Sequence, residues 1–264
     1  MKENEKSSSI YPPAVERALS ILDYMAEHTQ PLTIKEISDL MSIPHASTYR
    51  IVKCLIDFGY LRESPHQPEK YKLGFKPSYL SKMAFDGSDL VTIAIPHLKS
   101  IAGSTSQACQ LCVLNDGYVI TLDQSVPRDA ITIIAKLGEP IPINVSASGK
   151  ALISRMHESK RRDILTKVWP SYKQNTEYTV TDLEIFLEQL DKISNQSYAS
   201  DIEEFALGIG CLAVPIFDNT GNPIAAIGLT GPIDNYRKQE TFDVMLEALL
   251  DVSKEISKEL FYSG

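Results

Sequence analysis

Residues Thr33 to Gly74 constrain this chain more than any other stretch. Thr33-Ile34-Lys35-Glu36 has the spacing of a capping box, in which a hydroxyl and a carboxylate satisfy amides at a helix start. Ile34, Ile37, Leu40 and Met41 then supply an apolar stripe, and Ser42-Ile43-Pro44 interrupts it. A second short helix follows from His45 to Leu55, with Thr48, Ile51, Val52 and Leu55 at three- and four-residue steps. His45, Ala46, Ser47, Tyr49, Arg50 and Lys53 fall on the opposite face. After Gly59, Tyr60–Ser64 and Lys70–Leu73 alternate as half-buried strands do, around a Pro-flanked tip at residues 65–69. Two short helices, a tight turn and a small hairpin predict a winged helix-turn-helix.

A buried stripe opposite small polar and basic residues suits a helix lying in a major groove. Arg50 is placed to bridge guanine or phosphate, and Ser47 and Tyr49 to reach phosphate or base edges. Arg62, Lys70 and Lys72 would flank the phosphate backbone from the wing.

The net charge of −8 looks wrong for a DNA binder, but its distribution decides the matter. Residues 1–85 hold eleven Lys and Arg against ten Asp and Glu, while the remainder holds 15 against 24. From Pro44 to Lys76 six basic residues face three acidic ones. Basic charge is therefore focused on the helix and hairpin, and an acidic remainder suppresses indiscriminate binding. Residues 1–12 are polar and read as a disordered tail without a signal peptide. No apolar run is long enough to span a membrane, so the chain is expected in the cytoplasm with reduced thiols.

Residues 13–76 thus form the expected DNA-binding domain, opened by a helix from Val15 to His28. Residues 77–106 read as linker helices, broken at Asp86-Gly87-Ser88-Asp89, where Ser88 or Asp89 would cap the next helix. Its stripe of Leu90, Ile93, Ala94, His97, Leu98 and Ile101 would build a dimer if it packed against a copy of itself. Residues 107–264 turn strand-rich, with a hairpin signal at Asn115-Asp116-Gly117 and a β-branched run at Ile131–Ile134. Helices are expected at Ser146–Leu152, Glu158–Val168 and Asp182–Ser194, the last opened by a capping box at Thr181-x-x-Glu184. Apolar strands at Gly210–Phe217 and Ile224–Thr230 precede a final helix from Tyr236 to Phe261. The mixture predicts an α+β domain around one antiparallel sheet.

Three places in that domain hold chemistry-bearing residues. Cys109-Gln110-Leu111-Cys112 has redox or zinc spacing, but positions three apart in a strand point to opposite faces and no second pair exists. No metal or cofactor is expected. Ser146-Ala147-Ser148-Gly149-Lys150 lacks the phosphate-loop pattern; it is either a plain capped helix or an amide cradle for a carboxylate. Asp201, Cys211, Gly228 and Thr230 would converge either as a compact polar pocket or as core filling. Small-molecule catalysis or thiol sensing at Cys211 is the alternative reading, and none of the five histidines sits in a motif beside it.

Val15-Glu16-Arg17-Ala18-Leu19-Ser20-Ile21-Leu22, the Pro44–Gly59 helix and Tyr71-Lys72-Leu73-Gly74 resemble the N-terminal domain of the isocitrate-lyase-regulator (IclR) family of bacterial transcription factors. Gly138-Glu139-Pro140-Ile141-Pro142, Gly149-Lys150-Ala151, Asp201-x-x-Glu204, Gly208-x-Gly210-Cys211-Leu212-Ala213-Val214-Pro215 and Gly228-Leu229-Thr230-Gly231-Pro232 are similar to its effector domain, in order and spacing. The resemblance covers residues 14–260. It implies a winged helix-turn-helix joined by a linker helix to a GAF-like effector domain. It also implies a non-enzymatic transcriptional repressor, acting as a homodimer or dimer of dimers on a partly palindromic double-stranded DNA operator. Ala147, Ser148, Asp201, Cys211, Gly228 and Thr230 match the positions that hold a small organic acid or aromatic effector. The family usually has Lys at His45, Ser at Ala46 and, in many members, Ser at Gly228, so both the operator and the effector are expected to be this chain's own.

Overall fold

The computed structural model describes residues 11–28, 30–65, 67–84, 90–128 and 134–262. Most of the N-terminal tail, the break at residues 86–89 and residues 131–133 of the β-branched run lie outside the described residues. The chain divides into two compact units, Met1–Ser88 and Asp89–Gly264. The division falls inside the expected linker, so each of the two linker helices belongs to a different unit.

The first unit is built from α1 (Pro13–Glu27), β1 (Leu32–Thr33), α2 (Ile34–Met41), α3 (His45–Asp57), β2 (Leu61–Ser64), β3 (Gln67–Leu73) and α4 (Lys76–Ala84). Ile21, Met25, Ile37, Ile43, Val52, Leu55 and Leu61 form its core. The capping box closes in both directions: the Glu36 amide donates to Thr33 Oγ1 at 3.2 Å, and the Thr33 amide donates to Glu36 Oε2 at 2.7 Å. These bonds hold the Glu36 carboxyl below its ordinary pKa. Thr33→Ala should lower the unit's stability by about 1 kcal/mol. Hydrogen exchange of the α2 amides would register this as faster local opening, and unchanged protection would count against the cap.

The tight turn is fastened from beneath. Ser42 takes a left-handed conformation at φ 52°, and Ser38 Oγ donates to the Ile43 carbonyl at 2.7 Å. The buried Thr48 hydroxyl reaches the same carbonyl at 3.3 Å. Gly59, at φ +79°, lets the chain leave α3 and enter the wing. The wing is a three-stranded sheet of order β1-β3-β2, one strand more than the sequence announces. Strand β3 begins at Gln67 rather than Lys70, because a bulge between Glu63 and Ser64 lengthens the pairing. Glu63 Oε1 accepts from the Glu69 amide at 2.8 Å and holds that bulge.

The second unit comprises α5 (Leu90–Thr105), β4 (Ala108–Asn115), β5 (Tyr118–Ser125), β6 (Pro140–Pro142), α6 (Ala147–Ile153), α7 (Glu158–Val168), α8 (Leu183–Ser194), β7 (Ala199–Ile202), β8 (Ile209–Phe217), β9 (Pro223–Pro232), α9 (Ile233–Arg237) and α10 (Gln239–Tyr262). Its strands form one antiparallel sheet of order β6-β5-β4-β9-β8-β7. One face carries Cys109, Leu111, Leu212, Val214, Ile227 and Leu229 against α5 and α10. The other carries Cys112, Ala213 and Ala199 against α6, α7 and α8. Cys109 and Cys112 therefore belong to different cores, as strand alternation requires.

Three sequence expectations change here. The stripe of α5 does not wait for a copy: Leu90, Ala94, Leu98 and Ile101 are buried within this chain's own core. His97, on the flank of that stripe, sits between Glu255 and Glu259 of α10 at 3.5 and 3.0 Å. The cap of α8 is Asp182, whose side chain accepts from the Ile185 amide, while Glu184 pairs with Arg162 instead of closing a box. The final helix is two helices, because Lys238 is extended at φ −85° and ψ 113°.

Candidate DNA-contact face and effector cleft

In the first unit, α3 separates its residues by face. Thr48, Val52 and Leu55 are buried, whereas His45, Ala46, Tyr49, Arg50 and Lys53 are exposed and Ser47 is half-buried. The Arg50 side chain is exposed to solvent on this face. Lys53 pairs at 3.8 Å with Asp57, an exposed i,i+4 contact that solvent screens. The wing alternates in the same way. Leu61, Tyr71 and Leu73 turn to the core, and Arg62 stands opposite Lys72 on the other face, which Lys70 shares. Arg62 is the most restrained of the three: its Nε donates to the Leu73 carbonyl at 3.4 Å and its guanidinium lies 4.7 Å above the Phe75 ring.

In the second unit the register of the sheet assembles a floor. Gly228 lies between Gln110 and Ala213 on the neighbouring strands, and Thr230 lies between Ala108 and Cys211. Cys211 in turn stands opposite Asp201. A cleft of about 360 Å³ opens on this floor, bounded by Ala147 and Ser148 of α6, by residues 134–142 and by Phe205. Of the six residues singled out from sequence, Ala147, Ser148, Cys211, Gly228 and Thr230 line it. Asp201 does not. It is fully buried beside the cleft, where its Oδ1 accepts from the Glu204 and Phe205 amides at 2.7 and 3.3 Å.

Asp201 belongs to a buried charge cluster that motif reading missed. Lys150 is completely buried, and its Nζ donates to Glu204 Oε2 at 2.5 Å. Burial pushes the Asp201 carboxyl up to about 6, Lys150 opposes the rise and Glu204 adds to it. Asp201 Oδ2, also buried, has no hydrogen-bond partner. The Glu204–Phe205 turn is also held by Thr179 Oγ1 donating to the Glu204 carbonyl at 2.8 Å and by Asn175 Nδ2 donating to the Phe205 carbonyl at 3.2 Å. The available signal was the Lys150 and Glu204 spacing within the quoted motifs, which named no partner for either.

Burial, with the Asp201 charge next in size, drives the Cys211 pKa far above that of a reactive thiol, and Thr230 Oγ1 donates to its sulfur at 3.4 Å. His97 is held by α10, and His157 accepts from the Ser159 amide at the start of α7, so neither serves Cys211 as a base. Helix α6 is seven residues long, and its cap Ser146 already takes the Gly149 amide at 3.2 Å. Its dipole is correspondingly small, and the cleft's polarity comes from Ser148, Thr230 and Gln110. No helix among the described residues is long and apolar enough to cross a membrane.

Comparison with known proteins agrees with these two units. The family description "IclR helix-turn-helix domain" matches residues 14–65, and "Bacterial transcriptional regulator IclR C-terminal" matches residues 82–258. The transcriptional repressor AllR of Salmonella typhi is 26% identical over 249 residues, covering 94% of this chain and 89% of that protein. The IclR of Thermotoga maritima superimposes with a TM-score of 0.74 at 24% identity, over 94% of this chain and 98% of that one. The C-terminal domain of Escherichia coli KdgR, at 26% identity, matches with a TM-score of 0.59 over 65% of this chain and 98% of its own. On the family match across both units, this chain belongs to the IclR family of bacterial transcriptional regulators.

Proposed function

We propose that the protein is a sequence-specific transcriptional repressor whose DNA binding is set by a small organic acid held in the C-terminal cleft. The observation that carries the first half is the two-faced α3: a buried Thr48, Val52 and Leu55 stripe with Arg50 and its neighbours exposed opposite. In this reading His45, Ala46, Ser47, Tyr49, Arg50 and Lys53 face the major groove, and Arg62, Lys70 and Lys72 follow the backbone. Repression follows the relatives, since AllR is named a repressor. The cleft, with Ala147, Ser148, Cys211, Gly228 and Thr230 around it and Asp201 supporting it, supports the second half.

The working form is a homodimer or a dimer of dimers on a partly palindromic operator in the cytoplasm. Helix α4 leaves Tyr79, Leu80 and Met83 exposed, and α1 leaves Val15 and Leu19 exposed, which is apolar surface for a copy of the chain to cover. Effector binding regulates only if it differs between DNA-competent and incompetent states.

Arg50→Ala tests the DNA half. On an operator selected from random-sequence DNA by the full-length protein, it should lose roughly 1–3 kcal/mol of affinity and relax specificity at one position per half-site. A gel-shift titration that gives wild-type affinity would remove Arg50 from the reading set.

A further inference from the structure

A second groove of the C-terminal unit, of about 640 Å³, shares no lining residue with the effector cleft. It runs between the β8–β9 hairpin, the C-terminal half of α10 and Arg155, which follows α6. Three cations line it: Arg155, and Lys254 and Lys258 four residues apart on α10. From residue 86 onward the chain holds 15 Lys and Arg against 24 Asp and Glu, so this concentration runs against the local composition. Arg155 is half-buried and has no carboxylate partner among the described residues. Its Nη1 donates to the Ser194 carbonyl at 3.2 Å, its Nη2 donates to the Gln196 carbonyl, and its guanidinium lies 6.0 Å above the Phe217 ring. Two neutral carbonyls fix the side chain without balancing its charge.

The lysines are not neutralised there either. Lys258 has no ion pair or hydrogen bond among the described residues. Lys254 reaches Asp251 at 3.5 Å, an exposed contact outside the groove that solvent screens. Like charges four apart on a helix repel, and nothing in the groove offsets that cost. Asp218 is the one carboxylate among the described lining residues, and its own hairpin occupies it: Oδ1 accepts from the Thr220 amide, the Thr220 hydroxyl and the Asn222 amide at 2.9, 2.7 and 2.8 Å. Ser257 Oγ accepts from the Phe217 amide at 3.2 Å, which leaves the Ser257 hydroxyl proton to donate. The groove therefore presents unspent donors and positive charge. A monocarboxylate would balance one of three cations, whereas a phosphate carries about two charges near neutral pH on three terminal oxygens. Pro215, Phe217 and Leu250 add apolar wall beyond what a free phosphate could cover.

We propose that this groove is a second small-molecule site, which binds a phosphate monoester. The phosphate lies among Arg155, Lys254 and Lys258 and accepts from Ser257. The organic body of the ester covers Pro215, Phe217 and Leu250. The site is independent of the ligand held in the effector cleft.

The test is calorimetric titration and thermal shift of the full-length protein with glucose 6-phosphate, adenosine 5′-monophosphate and inorganic phosphate, all at one ionic strength so that screening is constant. A ligand that binds only the native state raises its melting temperature by mass action. At least one ester should bind roughly tenfold or more tighter than inorganic phosphate, and glucose and adenosine should give no shift. The double variant Lys254→Gln/Lys258→Gln should weaken that ester by roughly tenfold or more. Both lysines are exposed and glutamine suits a helix, so the fold is retained. Operator affinity without ligand should stay at the wild-type value. Absence of any shift with both esters overturns the proposal. Inorganic phosphate binding as tightly as the esters reduces the groove to a free-anion site and overturns the ester class. Wild-type ester affinity in the double variant puts the phosphate elsewhere, the DNA-contact residues included, and overturns the site. Weakened operator affinity in the double variant would make the groove a contact for DNA phosphates and overturns it as well.

Discussion

Lys150→Met will destabilise the C-terminal unit by about 3–5 kcal/mol, the cost of removing one partner from a buried ion pair. Lys150 is fully buried and its ammonium is bonded to Glu204, with the Asp201 carboxyl adjoining. Methionine fills a similar length and suits a helix, so packing is retained while the carboxylates lose their cation. Adding Glu204→Gln should restore much of the loss, because the double variant no longer buries an unpaired charge. The readout is urea unfolding followed by the fluorescence of Trp169, the single tryptophan, which lies in this unit. A single variant within 1 kcal/mol or so of wild type would show that the carboxylates find another way to shed their charge.

Asp201→Asn should work in the opposite direction above neutral pH. The Asp201 carboxyl is raised from 3.8 to about 6 in the folded chain, chiefly by burial. Below 3.8 it is protonated in both states and contributes no penalty. As pH rises from there through 6, the unfolded chain ionises first, and the stability present at low pH is lost. Over about two pH units this amounts to roughly 2–3 kcal/mol, and the deficit persists at pH 7. Asparagine cannot ionise, and its Oδ1 can still accept from the Glu204 and Phe205 amides. Unfolding curves from pH 4 to 8 should show the variant pulling ahead of wild type as pH rises. A stability difference that stays constant with pH would mean that Asp201 is not the titrating group.

The local half of this architecture was legible in the chain. Thr33 and Glu36 stand three apart before an apolar run, which specifies their reciprocal bonds because a capping box involves only one helical turn. Thr48, Val52 and Leu55 declared the buried face of α3 for the same reason, since helical periodicity is local. Asp182 was missed as the cap of α8 because Thr181 and Asp182 are both good caps, and Trp169 Nε1 donates to the Thr181 carbonyl, which helps fix where the helix starts. The break at Lys238 was missed because the apolar period runs through it.

The effector cleft was legible only in part. Sequence spacing placed Cys211, Gly228 and Thr230 on facing strands, and antiparallel register made them neighbours. It grouped Asp201 with them, and in the structure Asp201 stands opposite Cys211 beneath the cleft lining, where its Oδ1 also holds the Phe205 turn. Phe205, Gln110 and the Pro140–Pro142 wall come from distant parts of the chain, and no local pattern relates them.

By itself the sequence determined the two kinds of domain, the faces of α3 and the wing, and where the basic charge sits. Each depends on interactions within a few residues or on composition. Only the tertiary structure decided that the stripe of α5 is spent inside its own unit, that Lys150 is buried against Glu204, and that Phe205 and the Pro140–Pro142 stretch share one cleft with Ser148 and Thr230. Those outcomes depend on which distant surfaces meet. Such meetings are chosen by the burial of the whole core, and the chain order does not record them.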